Sequence, residues 1–260
     1  EKTSRIQNEV EKAARVVEIA ALYREPALVR LRAALAQGVE SPEYALGLVA
    51  HHEGRQEEAL AHAQAAFQGA PWLYEAKKLE GDVLFAIGSR TRHDKAGFDY
   101  AKTTLAFEKA AEAYAVAADI ARSDPAVHEA ECELWIQAMN ADAEQGAPMR
   151  AHFDRARRAC ERAVTASPRT PSGHAKLAWA HLSFAFGVVN GGQAGESPEA
   201  ALAEATSKVE QAAERNPEDA FSRYLVGAVW RARAMREAQL GEDAGRSLER
   251  AVAGYEAALA

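Results

Sequence analysis

The chain has 260 residues, of which 48 % are hydrophobic and 27 % charged, and its formal net charge is −7. This balance is typical of a folded globular protein, and the negative charge argues against nucleic acid or an anionic membrane surface as the main partner. Alanine, which has the highest helix propensity, supplies 61 positions. The sequence contains neither a strand-like alternating run nor eighteen consecutive apolar residues. An all-α protein without a membrane-spanning helix is therefore predicted.

The predicted elements follow one another along the chain as helices. The N-terminal part predicts one helix over residues 3–23 and a second over 26–37. Beyond them, helical periodicity predicts the first helix of a hairpin in five segments: 43–52, 74–87, 126–143, 173–188 and 220–239. Turn residues and a second helix follow each segment. We expect about eleven or twelve helices in total.

One spacing recurs in the second helices. Offsets of four and seven put three residues on one face of a helix. A proline five residues later is predicted to end the helix, because it cannot donate a backbone hydrogen bond. The copies are Ala59, Ala63, Ala66, Pro71; Ala113, Ala117, Ile120, Pro125; Ala156, Cys160, Ala163, Pro168; Ala205, Val209, Ala212, Pro217; and Ala251, Tyr255, Ala258, cut off before a proline. Self-similarity of this length indicates a stacked repeat array.

The first complete unit, "EYALGLVAHHEGRQEEALAHAQAAFQGAP", carries a family resemblance. Gly47 lies twelve residues before Ala59, Gly54 marks the turn, and Pro71 ends the unit. In these features it resembles the tetratricopeptide repeat (TPR), which implies a right-handed superhelix of helical hairpins. Successive prolines lie 54, 43 and 49 residues apart, against roughly 34 for the family. The prediction is therefore a TPR-like helical-hairpin solenoid with lengthened helices and loops.

A single array is expected over 1–260, because a solenoid grows by stacking and needs no second core. Its predicted parts are an N-terminal helical pair, four repeats and a last, truncated repeat: 1–39; 40–71, 72–125, 126–168, 169–217; and 218–260. Self-association through the ends of the array stays open.

The two cysteines, Cys132 and Cys160, fall on the two helices of one unit. With no Cys-x-x-Cys motif, we expect buried thiols rather than a disulfide or zinc ligands, and hence a reducing, cytoplasmic environment.

The sequence offers no catalytic motif. It lacks a phosphate loop, a Gly-x-Ser-x-Gly elbow and a His-Glu-x-x-His pair. Adjacent helical positions such as His51 and His52 point about 100° apart and predict no metal site. No enzymatic activity, cofactor or metal is therefore expected in this segment.

Function is expected on the inner surface that the first helices line, where stacked repeats form a concave groove. The candidate groove residues are Tyr44, Leu48, His51, Lys78, Asp82, Phe85, Gln137, Trp179 and Arg231. Tyr44, Phe85 and Trp179 are the expected anchors, because large aromatic side chains dominate binding energy at interfaces. A core position for Trp179 is an equal alternative. The expected partner is a protein or peptide segment.

A narrower resemblance comes from "APWLYEAKKL", "IARSDPAVHEA" and "LYREPALVRLRAAL". Together these segments look like the C-terminal repeat region of bacterial serine/threonine protein kinases of the myxobacterial type. The resemblance implies a kinase domain upstream of a fragment that begins at Glu1, and a segment that recruits substrates or regulators. Two alternatives remain: a peptide- or inducer-sensing domain of a transcription regulator, and an accessory arm of a hydrolase.

Overall fold

The computed structural model describes residues 14–15, 17–93 and 97–259, and every regular element in them is helical. Eleven α-helices are present in this described part: α1 (Glu25–Gln37), α2 (Pro42–His52), α3 (Gln56–Gly69), α4 (Tyr74–Arg92), α5 (Tyr100–Ile120), α6 (Pro125–Gln145), α7 (Arg150–Ala166), α8 (Pro171–Gly191), α9 (Pro198–Arg215), α10 (Ala220–Leu240) and α11 (Gly245–Leu259). The all-α prediction and the five predicted first helices are confirmed, with boundaries that differ by a few residues.

Contacts divide the chain into two compact units, Glu1–Val83 and Leu84–Ala260. In the first unit α2 and α3 form a hairpin. In the second unit α6 and α7, α8 and α9, and α10 and α11 pair in the same way. Each hairpin brings together a first and a second helix, as the repeat pattern predicts. Handedness and a single array over 1–260 stay predictions.

Helix boundaries follow from local chemistry. Pro42, Pro125 and Pro171 each occupy the first position of a helix, where a missing N–H costs nothing. The side chain of Asp219 accepts a hydrogen bond from the backbone N–H of Ser222 and so caps α10.

The sequence predicts two separate N-terminal helices, over residues 3–23 and 26–37, but the structure shows no break between residues 23 and 26. A π-helical turn, Ala20–Arg24, continues directly into α1, and both Arg24 and Glu25 keep right-handed helical dihedral angles. Pro26 therefore lies within the first turn of α1 rather than after a break. A π turn is a known way to admit an irregular residue without ending a helix. The part of the expected helix over residues 3–13 lies outside the described residues.

The predicted repeat register of α5 is wrong by three residues. Ala66, Ala163 and Ala212 each accept the last helical hydrogen bond of their helices, and in α5 the residue that does so is Ala117. The copy in α5 is therefore Ala110, Tyr114 and Ala117, which are 0 %, 1 % and 0 % exposed, whereas Ile120 is 43 % exposed. Pro125 does not terminate α5, because it starts α6.

Small residues set the approach of paired helices. A Cβ atom added at Gly254 on α11 would lie 2.4 Å from the backbone nitrogen of Gly227 on α10. One added at Gly47 would lie 3.4 Å from the backbone nitrogen of Ala63 in the α2–α3 hairpin. Bulkier side chains at these crossings would hold the helices apart.

The two cysteines correct another prediction. Cys132 on α6 and Cys160 on α7 form a disulfide with a Cα–Cα distance of 5.0 Å. Both residues are fully buried, as expected, but they are not free thiols. The expectation failed because the helix spacing that brings two cysteines together is not readable from their separation in sequence. The cysteines therefore no longer support the expected reducing, cytoplasmic environment, since disulfides are rare there.

The core of the second unit consists of two clusters of buried side chains. One joins α5, α6, α7 and α8 around Phe107, Met139 and Phe153. The other joins α8, α9 and α10 around Leu182, Leu202 and Leu225. Because α8 contributes to both clusters, it packs against the helices of the preceding hairpin, α6 and α7, and against α10 of the following one.

Candidate functional site

The second unit holds a cavity of about 540 Å³. First helices α6, α8 and α10 line most of it, and Arg92 from the end of α4 closes one side. On α8 the lining residues Trp179, Ser183 and Phe186 follow the offsets of four and seven that place side chains on one helix face. Tyr224, Ala228 and Arg231 repeat these offsets on α10. The volume is that of a small-ligand or peptide pocket.

One end of the cavity is aromatic. The rings of Trp179 and Phe221 meet edge to face with centroids 6.0 Å apart, and Phe221 stacks on Tyr224 at 6.3 Å. Tyr224 in turn lies 5.6 Å from the ring of Tyr255 on α11. Tyr224 is 47 % exposed and Phe221 39 % exposed. These aromatic rings therefore form a strip, part of which remains open to solvent.

Trp179 belongs to both the core and the cavity. It is partly buried, it packs against both hydrophobic clusters, and it also lines the cavity. The two alternatives raised by the sequence are therefore not exclusive, because one face of an indole ring can pack while the other faces a ligand.

The other end of the cavity is cationic. The guanidinium of Arg231 lies over the ring of Phe186 at 5.1 Å from its centroid. Arg231 is exposed, and no hydrogen bond or ion pair within the described part of the chain engages it. Arg92, by contrast, donates to Glu144 Oε2 at 3.0 Å and to Gln137 Oε1 at 2.6 Å. Arg231 is therefore the lining cation available to an anion from outside.

Three candidates come together in the first unit. Lys78 forms an ion pair with Asp82 at 2.9 Å. Burial, together with the nearby carboxylates of Glu75 and Asp82, raises the pKa of Tyr44. Tyr44, Lys78 and Asp82 therefore share one part of the first unit's surface, where positive and negative charges already satisfy each other.

The remaining candidates are dispersed. His51 Nδ1 lies 3.0 Å from Oε1 of Gln56 at the start of α3. Leu48 is half-buried on α2. Phe85 packs at 5.6 Å on Phe107 and borders the core of the second unit. Gln137 accepts from Arg92 rather than lining the cavity.

Sequence reasoning placed Trp179 and Arg231 at one site but missed Phe186 and Tyr224. Phe186 lies seven residues after Trp179, and Tyr224 seven residues before Arg231. The same helical spacing applied outward from the two named residues would have found both. Ser183, four residues after Trp179, falls on the same spacing.

Asp142 on α6 is the centre of a buried polar cluster whose hydrogen bonds are made within the protein. The buried carboxylate of Asp142 accepts from Tyr100 at 2.8 Å and pairs with His152 Nδ1 at 2.6 Å. The ring of His152 stacks on Trp135 with centroids 5.4 Å apart. Satisfied buried polar groups of this kind hold helices together. In the residues the structure describes, no group of three or more potential metal ligands occurs.

Several solved structures are similar to this chain. The crystal structure of MamA protein is 13 % identical with a TM-score of 0.51, and the match covers 82 % of this chain and 90 % of MamA. TTC0263, a thermophilic TPR protein in Thermus thermophilus, is 14 % identical with a TM-score of 0.48, covering 85 % of this chain and all of that one. YrrB, described as a TPR protein with an unusual peptide-binding site, is 18 % identical with a TM-score of 0.43, covering 88 % and 95 %.

No family model and no curated protein matches the chain. The likeness to MamA extends over most of both chains, and at this identity it concerns the fold alone. Together with the observed hairpins, it establishes an all-α helical repeat solenoid. Across the described residues, no helix is both long and apolar enough to cross a membrane.

Proposed function

We propose that this chain is a non-catalytic protein-interaction scaffold and that its second unit binds a segment of a partner protein in the cavity between α6, α8 and α10. The observation that carries the proposal is the open aromatic strip beside an unpaired arginine, on the face where first helices line a groove. Aromatic and arginine side chains are the residue types that supply most binding energy at protein interfaces.

The scaffold itself is tested by selecting a displayed library of random peptides on the immobilised chain. Peptides enriched on the native chain should lose roughly 1–3 kcal/mol of binding free energy on Trp179→Ala and on Tyr224→Ala. Tyr224 is the safer probe, because its side chain is nearly half exposed. The matched control is Trp72→Ala, which removes an indole that is 73 % exposed in the first unit. Equal binding to all four proteins would contradict the proposed site.

A finer part of the proposal concerns the parent protein. We propose that the segment recruits substrates or regulators to a bacterial serine/threonine protein kinase, on the strength of the resemblance stated above. The coding sequence upstream of residue 1 tests this. A catalytic loop of the His-Arg-Asp type would support the proposal, whereas a helix-turn-helix or a hydrolase motif would contradict it.

A further inference from the structure

The charge of the cavity differs from that of the chain. Its lining holds Arg92, Arg231 and Glu144, a net charge of +1, on a chain whose net charge is −7. Arg92 and Glu144 pair with each other, so the excess positive charge resides on Arg231. An approaching segment therefore meets one cation with unused N–H donors, and a carboxylate satisfies such a guanidinium with two parallel hydrogen bonds.

The distance between the two ends of the cavity limits what can span it. Trp179 and Phe186 are seven residues apart on α8, and Tyr224 and Arg231 are seven apart on α10. At 1.5 Å per residue, the aromatic end and the cationic end lie about 10 Å apart along the helices. In an extended chain, which advances about 3.3 Å per residue, this distance corresponds to side chains about three positions apart.

Polar side chains in the lining of the cavity favour an extended occupant. Asn140 and Ser183 line the cavity, and no hydrogen bond among the described residues engages their side chains. An amide and a hydroxyl of this kind can pair with the open backbone groups of an extended segment, which a helix would already have satisfied internally.

From these three observations we propose that the partner is an extended, acidic protein segment with an aromatic side chain and a carboxylate about three residues apart. The aromatic side chain lies against Trp179 and Tyr224, and the carboxylate pairs with Arg231. This assignment rests on the proposed function and specifies the chemistry of its partner. It also explains why Arg231 stacks on Phe186, because a guanidinium held over a ring keeps its N–H edge free for a planar anion.

The test uses fluorescent peptides with a Gly-Ser host sequence that contains one Phe and one Asp, separated by one to six positions. Fluorescence anisotropy gives the Kd of each peptide for the full chain. The expected optimum is a separation of about three. Replacing Asp with Asn in that peptide should raise Kd about fivefold, as expected for a largely solvated ion pair, and replacing Phe with Ala should raise it about tenfold or more.

Variants of the protein identify the residue that binds the carboxylate of the peptide. Arg231→Gln should abolish the difference between the Asp and Asn peptides, whereas Arg231→Lys should keep part of it. Arg158→Gln is the matched control, because it removes an exposed arginine on α7 and should leave the difference unchanged. The Asp preference should also shrink between 50 mM and 500 mM salt, because exposed charges are screened.

The outcomes separate this inference from the proposed function. Equal binding of the Asp and Asn peptides, with binding still sensitive to Tyr224→Ala, would overturn the acidic partner and leave the scaffold intact. A Kd that is independent of the Phe–Asp separation would overturn the extended geometry. Failure of every peptide in the series to bind would also overturn the inference, while the random-library selection judges the scaffold independently.

Discussion

Two second helices, α9 and α11, occupy the same place in successive hairpins and yet differ at one equivalent position. Leu202 on α9 and Leu248 on α11 each lie three residues before the first alanine of the repeat spacing. Leu202 is 4 % exposed, and Leu248 is 51 % exposed. Phe153, the equivalent residue of α7, is 5 % exposed.

The difference lies in the neighbouring helix rather than in the residue. Phe153 stacks at 4.3 Å on Phe184 of α8, the first helix of the following hairpin. Leu202 shares a cluster with residues of α10, which follows α9. The last described helix, α11, packs against α10 on one side only. A repeat therefore completes its core with the hairpin that comes after it.

The largest expected effect tests this comparison directly. Leu202→Ala should cost about 2–5 kcal/mol of unfolding free energy, because it leaves a cavity between three helices. Leu248→Ala is the matched variant and should cost under about 1 kcal/mol, because its side chain is half exposed. Urea unfolding followed by circular dichroism measures both. Equal losses would show that exposure at this position does not decide stability.

The α6–α7 hairpin contains a disulfide, which the hairpins that include α9 and α11 do not have in the described residues. Reduction of the Cys132–Cys160 disulfide, or the double change to Ala, should lower the unfolding free energy by about 2–4 kcal/mol, because the bond restricts the unfolded chain. Thermal unfolding with and without dithiothreitol measures the loss. The double variant serves as the control, since the reductant should not affect it. Titration of two free thiols in the untreated, denatured chain would contradict the disulfide.

The packing between α8 and α9 also predicts a pH dependence. Burial lowers the pKa of His181 on α8 from 6.5 to about 4, with Glu204 and Lys208 of α9 among the nearby charges. Because the unfolded chain binds the proton more readily, the stability associated with neutral His181 is complete above about pH 6.5. It is lost as the pH falls towards 4.

At pH 4.5 this loss should amount to roughly 2 kcal/mol relative to pH 7. The stability difference between these pH values should shrink by that amount in His181→Gln. Urea unfolding at pH 7 and pH 4.5 measures the difference in unfolding free energy between the two pH values. If this difference is the same in His181→Gln as in the native chain, His181 is not its cause.

A further effect of similar size concerns the contact that holds α11 to α10. Gly254→Ala places a Cβ atom 2.4 Å from the backbone of Gly227, so the helices must separate, at a cost of about 1–3 kcal/mol. Gly69→Ala is the control, because a Cβ atom there meets nothing within 4 Å. Loss of helix signal at lower urea for Gly254→Ala than for the control is the expected result. Identical curves would contradict the close crossing.

The sequence predicted the helices better than the register. Periodicity located the first helices because their apolar residues recur every three or four positions. The register of α5 was missed because Tyr114 fills a position that Ala63 occupies in the first copy, and because Pro125 imitates a terminator while starting α6. Short-range patterns cannot distinguish a proline that ends one helix from a proline that begins the next.

Two of the nine candidate groove residues line the cavity of the candidate site, and the site itself stays a prediction. Trp179 and Arg231 were placed on first-helix faces by spacing alone, and both line the cavity. Phe85 and Gln137 fit the same rule, but Phe85 borders the core and Gln137 accepts from Arg92. Ion pairs between residues more than forty positions apart in sequence decide which exposed side chains remain available to a ligand. No local sequence pattern encodes these ion pairs.

The sequence distance spanned by those ion pairs has a kinetic consequence. Arg92 and Glu144 are 52 residues apart, and Arg150 and Glu196 are 46 apart, so each links a hairpin only to the next. Each such contact closes a loop of about fifty residues rather than one that spans the chain, so folding can start in any hairpin and spread to its neighbours. Unfolding should then begin where a helix has one neighbour instead of two. Amide hydrogens of α11 should therefore exchange before those of α8, long before the chain as a whole has opened.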